Sequence, residues 1–251
     1  MGSDRPVLLV TGGSRGIGAA IALSAAKQGF AVVVNYATNR SAAEAVVDEI
    51  ASNGGQAVIA KGDVGSAAGI ASMYAVVDTH FGRIDGLVNN AGVVDMTARV
   101  DEMSWDRLER MFRINITGSI FCAGEAVRRM STRHGGKGGA IVNISSVAAT
   151  LGSPGQYVDY AASKGAIDTF TTGLAKEVAA ENIRVNAVRP GIIDTEIHAS
   201  GGLPDRARDL AHLVPMQRPG EAQEIADAVL FLLSPSASYI TGAILDVSGG
   251  R

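Results

Sequence analysis

Cysteine is almost absent from this chain, and the single residue Cys122 excludes an internal disulfide bond. Scarce cysteine is typical of proteins from a reducing compartment, so we expect a cytoplasmic protein. The four histidines (His80, His134, His198 and His212) are scattered without the spacing of metal ligands, and we therefore expect no metal site.

Positive charge and long apolar runs are also scarce. The net charge is −3 and no run of lysine and arginine occurs, which argues against a nucleic-acid partner. The longest apolar stretches, such as Ala228–Leu233, are far shorter than the roughly 20 residues of a membrane-spanning helix. No segment of signal-peptide form precedes the first predicted strand, so we expect no membrane partner.

Glycine, in contrast, is abundant. The chain has 31 glycines in 251 residues, well above the usual share of about 7%. Hydrophobic residues make up 47% and charged residues 19%, as in a folded domain with a large core. The glycines concentrate where predicted strands end, which indicates turns of special geometry.

Short apolar, β-branched runs alternate with longer stretches of helical periodicity. This alternation predicts a parallel sheet whose strands are buried on both faces. We predict one α/β domain over residues 1–251, a doubly wound Rossmann fold of about seven strands with helices on both faces. The predicted strands are Val7–Val10, Ala31–Asn35, Ala57–Lys61, Gly86–Val88, Ala140–Ile144, Arg184–Val188 and Ala243–Val247, and the predicted helices include Ile17–Gln28, Ser41–Asn53, Ala67–Phe81 and Trp105–Met130.

The segment "LLVTGGSRGIG" at 8–18 joins the first predicted strand to the first predicted helix. A turn at this place directs backbone N–H groups at a ligand phosphate, although similar glycine clusters also serve merely to turn a chain. Gly12 and Gly16 allow unusual backbone angles, and Gly18 allows the helix to pack closely on the sheet. We expect a dinucleotide to contact Gly12, Ser14, Arg15, Gly16, Ile17 and Gly18.

The end of the second predicted strand bears on which dinucleotide is bound. Sites for NAD usually carry an acidic residue there, whereas this chain has the neutral Asn35, which we expect to be a cofactor-binding residue. Arg15 could pair with a ribose 2′-phosphate, so the sequence favours NADP(H) over NAD(H). The alternative is that Arg15 and Arg40 simply face water.

Four further motifs follow in order: "NNAG" at 89–92, "IVNISS" at 141–146, "YAASK" at 160–164 and "RPGIIDT" at 189–195. With the glycine segment in front, the chain resembles the short-chain dehydrogenases/reductases, from about Val7 to "DVSGG" at 246–250. The likeness is greatest to reductases related to 3-oxoacyl-carrier-protein reductase and to bacterial glucose dehydrogenase. The resemblance implies hydride transfer between a nicotinamide and a carbonyl or secondary alcohol.

Tyr160 and Lys164 are four residues apart on one face of a predicted helix. A tyrosine with a pKa near 10 is a poor acid–base at neutral pH, and a nearby ammonium group would lower that pKa. Ser146 ends a predicted strand, where it could orient a substrate carbonyl, and Ser145 is the minor alternative. Tyr157 competes with Tyr160 but lacks a lysine four residues later.

The resemblance adds further site residues. It implies that Asn115 orders a water beside Lys164, which completes the catalytic set Asn115, Ser146, Tyr160 and Lys164. It implies that Lys164 also binds the ribose of the cofactor. The remaining implied cofactor contacts are Asp63 and Val64 at the adenine, Asn89, Ala91 and Gly92 behind the cofactor, and Pro190, Gly191, Ile193 and Thr195 at the nicotinamide.

Substrate selection is expected in a lid at about 194–216, where Gly201, Gly202 and Pro204 interrupt helix formation. Candidate pocket residues are Met96, Leu151, Tyr157, His198 and Met216. The family resemblance implies a homotetramer that acts on a small molecule. Two other functions stay open: an NAD-preferring sugar or hydroxysteroid dehydrogenase, and a catalytically silent dinucleotide sensor.

Overall fold

A seven-stranded parallel sheet forms the centre of the computed structural model, which describes residues 5–195 and 205–251. The strands lie in the spatial order β3-β2-β1-β4-β5-β6-β7 and confirm the predicted Rossmann topology. In chain order they are β1 (Val7–Val10), β2 (Ala31–Tyr36), β3 (Gln56–Lys61), β4 (Gly86–Asn89), β5 (Gly139–Ile144), β6 (Ile183–Pro190) and β7 (Ile244–Val247).

Helices cover both faces of this sheet. They are α1 (Gly16–Lys27), α2 (Arg40–Ser52), α3 (Ala67–His80), α4 (Trp105–Phe112), α5 (Ser119–Met130), α6 (Ala148–Leu151), α7 (Val158–Val178), α8 (Arg206–Asp209) and α9 (Ala222–Leu233). Three of these helices begin after an N-cap residue. The side chains of Asn39, Ser66 and Ser104 each accept a hydrogen bond from a backbone N–H in the first turn of α2, α3 and α4, respectively.

The strand side chains alternate between two hydrophobic layers. Leu8 and Val10 of β1 pack with α1, α2 and α9, whereas Val7 and Leu9 pack with α3, α5 and α7. All four side chains are fully buried, and each burial contributes about 1.5–3 kcal/mol. The sheet is therefore a rigid central layer from which the loops at its carboxyl edge project.

The segment predicted as one helix over Trp105–Met130 is two helices separated by a wide π-helical turn, Arg113–Gly118. The turn allows Asn115 to bind both backbone groups of Val93: Oδ1 accepts from the N–H at 2.8 Å and Nδ2 donates to the carbonyl at 2.9 Å. A Cβ on Gly118 would lie 2.5 Å from the carbonyl oxygen of Val64, so only glycine fits there. Such turns occur often at functional sites.

From β1 the chain adds β2 and β3 on one side of the sheet, and it then returns to add β4 on the other side of β1. Open α/β sheets bind ligands beside such a switch point, at the carboxyl ends of the strands. Here those ends lead into the glycine segment and into "NNAG". Among residues 5–195 and 205–251, no helix combines the length and the apolar character needed to cross a lipid bilayer.

Candidate active site

The turn after β1, residues 11–16, is here called the glycine loop. Gly12 has a φ of +61° and Gly16 a φ of +52°, in the left-handed region that favours glycine. A Cβ on Gly18 would lie only 2.3 Å from the carbonyl oxygen of Gly12. The structure thus confirms that Gly12 and Gly16 adopt unusual backbone angles and that Gly18 allows close packing of α1. Both properties are expected of a dinucleotide site.

Hydrogen bonds join the glycine loop to the turn after β4. The Oγ1 of Thr11 accepts from the N–H groups of Asn90 and Ala91, each at 3.0 Å. The Nδ2 of Asn90 donates to the carbonyls of Thr11 at 2.9 Å and Gly12 at 3.0 Å. Asn90 was not among the predicted site residues, although the second letter of "NNAG" was the available signal. It is a positioning residue for the loop.

Asn35 lies beneath the glycine loop, not at its outer surface. Its side chain is 2% exposed; Oδ1 accepts from Gly12 N–H at 3.0 Å, and Nδ2 donates to the carbonyls of Ala60 and Gly62 at 3.1 and 3.0 Å. The amide is thereby occupied with the protein's own backbone. Asn35, a predicted cofactor-binding residue, thus supports the glycine loop from below, whereas Arg15 is exposed beside it.

Ser146 and Tyr160 are brought together at the carboxyl end of β5. Both side chains line one cavity, where hydrogen bonding from Ser146 acts to lower the pKa of Tyr160, and Ser146 Oγ accepts from the N–H of Ala148 at 3.1 Å. Ser145 is turned away: its hydroxyl is buried and donates to the carbonyl of Lys164 at 3.2 Å. The geometry favours Ser146 over Ser145 as the group that meets a substrate.

Lys164 lies one turn beyond Tyr160 on the same face of α7, with Nζ 5.5 Å from the centre of the tyrosine ring. Nζ donates to the carbonyl of Ile144 at 2.8 Å. Burial lowers the pKa of Lys164 from 10.5 to about 8, an effect that the nearby Asp168 carboxylate partly offsets. Most of the ammonium charge is thus retained at neutral pH.

The tyrosine behaves differently from the sequence-based expectation. Burial raises the pKa of Tyr160 above its ordinary value of 10.0, and the hydrogen bond with Ser146 offsets only part of that rise. Lys164 is not among the groups that shift the pKa of Tyr160, contrary to the expectation that it lowers this pKa. The largest cause of the rise is the removal of water from the phenol. The phenol is therefore fully protonated at neutral pH.

Asn115 lies in the wide turn and is 1% exposed. Besides its two bonds to Val93, its Nδ2 lies 3.2 Å from the Oγ of Ser163 and 3.1 Å from the sulfur of Met111. A Cβ on Gly92 would lie 3.4 Å from Asn115 Oδ1 and 3.7 Å from Lys164 Nζ, which places all three residues together. Asn115 is therefore near the lysine, as the resemblance implies.

Ser146, Tyr160 and Lys164 line one cavity of about 420 Å³, here called the catalytic cavity. Leu151 and Tyr157 line it, as the sequence predicts, whereas Met96 is 57% exposed and Met216 lines a neighbouring cavity. The predicted pocket residue His198 and the middle of the predicted lid fall outside the described residues. The lining is Ile17, Asn90, Gly92, Val94, Ile144–Ala148, Leu151, Ser153, Pro154, Gln156, Tyr157, Tyr160, Lys164, Pro190–Ile193 and Arg251.

Other predicted cofactor residues lie after β3, at the end of β4 and after β6, at the carboxyl edge of the sheet. Asp63 is exposed and Val64 is buried beside the wide turn. Asn89 is buried and donates to Ser119 and Asn143 inside the core, so its side chain supports the central strands. A Cβ on Gly16 would lie 3.5 Å from Thr195, which brings the segment after β6 against the glycine loop.

A dinucleotide fits this arrangement. The glycine loop has the backbone shape of a phosphate turn at the first residue of α1, and Ile17 and Asn90 line the cavity that also holds Ser146 and Tyr160. In residues 5–195 and 205–251, no group of three or more His, Cys, Asp or Glu side chains is placed to hold a metal ion. The cavity can thus place a nicotinamide beside the hydroxyl groups of Ser146 and Tyr160.

Comparison with known proteins agrees with this geometry. A family model described as enoyl-(acyl carrier protein) reductase matches residues 12–251. The uncharacterized oxidoreductase YgfF of Escherichia coli K12 is 51% identical over 245 residues, which cover 98% of this chain and 99% of YgfF. A 3-oxoacyl-[acyl-carrier-protein] reductase of Synechocystis sp. is 40% identical over 245 residues, covering 97% of this chain and 96% of its own.

A solved structure is also similar. The short-chain dehydrogenase of Burkholderia cenocepacia in complex with NADP has a TM-score of 0.89 and 33% identity, covering 98% of this chain and 97% of its own. The similarity spans both the glycine loop and the segment that carries Ser146, Tyr160 and Lys164. The chain belongs to the short-chain dehydrogenase/reductase family and is an oxidoreductase that acts on CH–OH and C=O groups with a nicotinamide cofactor.

Proposed function

We propose that the protein is an NADP(H)-dependent reductase of ketones or aldehydes, which also runs in reverse on secondary alcohols. The observation that carries this proposal is the placement of Ser146, Tyr160 and Lys164 on the wall of one cavity that Ile17 and Asn90 also line. Two hydroxyl groups at one point of a cavity provide two donors for one carbonyl oxygen.

Each side chain has a distinct part in the proposed reaction. Ser146 donates a hydrogen bond to the substrate oxygen and orients the carbonyl, and Tyr160 donates the proton that completes the alcohol. The bound nicotinamide supplies the hydride. Lys164 holds a positive charge within the same wall, which stabilises the phenolate that remains after proton transfer. Asn115 positions Val93 through two hydrogen bonds and lies beside Gly92, near Lys164.

The raised pKa of Tyr160 bears on the direction of the reaction. A phenol that is buried and fully protonated at neutral pH is ready to donate a proton, as carbonyl reduction needs. Alcohol oxidation needs the phenolate instead, which high pH and the positive charge of an oxidised nicotinamide both favour. We therefore propose that the protonated phenol is the proton donor when the protein reduces a carbonyl.

Preference for NADP(H) is supported by the charges around the glycine loop. Arg15 is exposed there, and the chain has no carboxylate at residues 35–38, where one would repel a 2′-phosphate. Arg40 is a weaker candidate because its Nε is bound by Glu44 at 2.8 Å. The Burkholderia cenocepacia relative is in complex with NADP, which agrees with this preference.

We further propose a cytoplasmic homotetramer in which each chain is one catalytic domain with its lid at about 194–216. Support for the assembly comes from large apolar side chains left exposed on α4 and α5: Trp105 is 79% exposed, Ile120 41% and Phe121 42%. Apolar side chains grouped on neighbouring helices are typical of protein interfaces. Light scattering coupled to size exclusion measures the assembly directly.

The central test is substitution of Tyr160 by phenylalanine, assayed on a panel of ketones and alcohols with both cofactors. Removal of the proton donor is expected to lower kcat by about 10²–10⁴ while the affinity for NADPH changes little. Tyr157→Phe is the matched control because Tyr157 lines the same cavity without a lysine four residues later, and it should keep most of kcat. Wild-type turnover by Tyr160→Phe would rule out the assignment.

A further inference from the structure

Asp168 is a buried carboxylate on the helix that carries Tyr160 and Lys164. These three residues follow one another at every fourth position of α7, which places Asp168 one turn beyond the lysine on the same helix face. Asp168 is 7% exposed and Lys164 is 5% exposed. The proposed reaction uses Tyr160 and Lys164 and leaves this buried carboxylate without a part.

Arg189, near the end of β6, holds the carboxylate of Asp168 in place. Its Nε and Nη2 lie 2.9 and 2.8 Å from Oδ2 of Asp168. The other carboxylate oxygen, Oδ1, is buried and accepts no hydrogen bond from the part of the chain that the structure describes. Because both bonds are made to Oδ2, the negative charge at Oδ1 is not matched by a direct contact, and such a charge acts strongly on its neighbours in a protein interior.

Lys164 is the cation one helical turn away from this carboxylate. Its Nζ donates to the carbonyl of Ile144 at 2.8 Å, which is a neutral acceptor. Burial lowers the pKa of Lys164, and the charge of Asp168 acts in the opposite direction. The carboxylate of Asp159, in the first turn of the same helix, is already paired with Arg107.

The other groups around Lys164 do not supply a negative charge. Tyr160 and Arg251 line the catalytic cavity with it, and the first is a protonated phenol and the second a cation at neutral pH. Asn115, in the wide turn, carries a neutral amide. Asp168 is therefore the buried anion that can act on the lysine from the described residues of its own helix face.

We propose that Asp168 is a positioning residue for the reaction: its carboxylate, held by Arg189, keeps the ammonium group of Lys164 charged at neutral and mildly alkaline pH. The ion pair also joins α7 to the end of β6, and Pro190 and Gly191, which follow Arg189 directly, line the catalytic cavity. The inference rests on the proposed function, in which the charged lysine stabilises the phenolate after proton transfer.

The test follows the pH dependence of kcat/KM for NADPH-dependent reduction of the ketone that the wild type reduces fastest. The wild-type value should fall as Lys164 loses its proton, near pH 8. In Asp168→Asn the midpoint of this fall should move to lower pH by about half a unit or more, because the neutral amide no longer favours the ammonium form.

Two control variants separate the charge of Asp168 from the packing of the ion pair. Arg189→Gln breaks the same pair but keeps the carboxylate, so the midpoint should not move to lower pH. Asp246→Asn removes a carboxylate that is 56% exposed and lies 3.4 Å from the same arginine, and it should leave the midpoint unchanged. An equal downward shift in Arg189→Gln and Asp168→Asn would mean that loss of packing, not loss of charge, is the cause, and this result overturns the inference.

A further variant covers the case in which Asp168→Asn does not fold because Arg189 is left without its buried partner. The double variant Asp168→Asn/Arg189→Gln lacks both charges of the pair, and removal of both partners of a buried pair is tolerated far better than removal of one. It should show the same downward shift as the single variant. A wild-type midpoint in the double variant overturns the inference.

A second measurement does not depend on turnover. NMR titration of protein labelled with carbon-13 at the lysine Cε atoms, with Lys164→Met to assign the signal, measures the pKa of Lys164 directly. This pKa should fall in Asp168→Asn and in the double variant but not in Arg189→Gln. An unchanged pKa in the variants without the carboxylate overturns the inference and leaves the proposed function standing. Absence of turnover on every ketone and alcohol overturns the proposed function, and the NMR titration then still decides whether Asp168 acts on the lysine.

Discussion

Arg107 and Asp159 form a two-point ion pair at the first turn of the helix that carries Tyr160. Nε of Arg107 lies 2.7 Å from Oδ2 of Asp159 and Nη2 lies 3.2 Å from Oδ1, with the two side chains 10% and 1% exposed. Nη1 also donates to the carbonyl of Met96 at 2.7 Å. One guanidinium thus joins α4, the loop after β4 and the residue before Tyr160.

Substitution of Arg107 by methionine should lower the free energy of unfolding by about 3–5 kcal/mol, because it leaves the carboxylate of Asp159 buried and unpaired. Urea denaturation measures the change. The double variant Arg107→Met/Asp159→Leu should recover much of the loss, since it removes both charges. A single variant within 1 kcal/mol of the wild type would show that the pair has no such role.

The lowered pKa of Lys164 predicts a specific pH dependence of stability. The unfolded lysine binds its proton up to a pKa near 10.4, but the folded one loses it near 8, so the unfolded state holds more protons between these values. Stability of the wild type should therefore rise from pH 8 to pH 9.5 relative to Lys164→Met. Urea midpoints of both proteins at pH 7, 8 and 9.5 measure this difference, and parallel curves would contradict it.

Addition of one methyl group at Gly18 should disrupt the cofactor site. The Cβ of Gly18→Ala would lie 2.3 Å from the carbonyl oxygen of Gly12 and 2.6 Å from Nδ2 of Asn90, so we expect a stability loss of about 1–3 kcal/mol and weaker NADPH binding. Gly173 in α7 has no atom within 4 Å of such a Cβ. Gly173→Ala should instead gain about 0.5–1 kcal/mol and keep its NADPH affinity, as fluorescence titration would show.

Loss of the charge at Arg15 should change the choice between cofactors. Arg15→Gln removes a charged partner for the 2′-phosphate, so the ratio of kcat/KM for NADPH over NADH should fall about tenfold or more. The rate with NADH should stay nearly constant. Arg40→Gln is the comparison, because Glu44 already binds that arginine. A larger effect at Arg40 than at Arg15 would reassign the phosphate contact.

The sequence predicts the strands within one or two residues at either end, because continuous apolar runs mark strands that are buried on both faces. It also predicts the grouping of Ser146, Tyr160 and Lys164, which local spacing and the carboxyl end of β5 determine. The sequence does not predict the wide turn at Arg113–Gly118. In this turn Gly118 contacts Val64 and Asn115 bonds to Val93, and neither contact changes the helical periodicity of the sequence.

Three further features depend on contacts between distant parts of the chain. The inward orientation of Asn35 follows from carbonyls on β3 and its neighbour Gly62, which accept its amide. The pairing of Arg107 with Asp159 spans 52 residues. The pKa of Tyr160 depends on how much water the folded protein excludes, and local spacing carries no information about that.

The bonds from Thr11 and Asn90 hold the two turns of the dinucleotide groove in place within the protein itself. A groove of fixed shape loses little conformational entropy when a molecule enters it, which favours tight association. Encounter with the dinucleotide should then follow a single kinetic phase whose rate grows linearly with its concentration, without a plateau set by slow loop rearrangement.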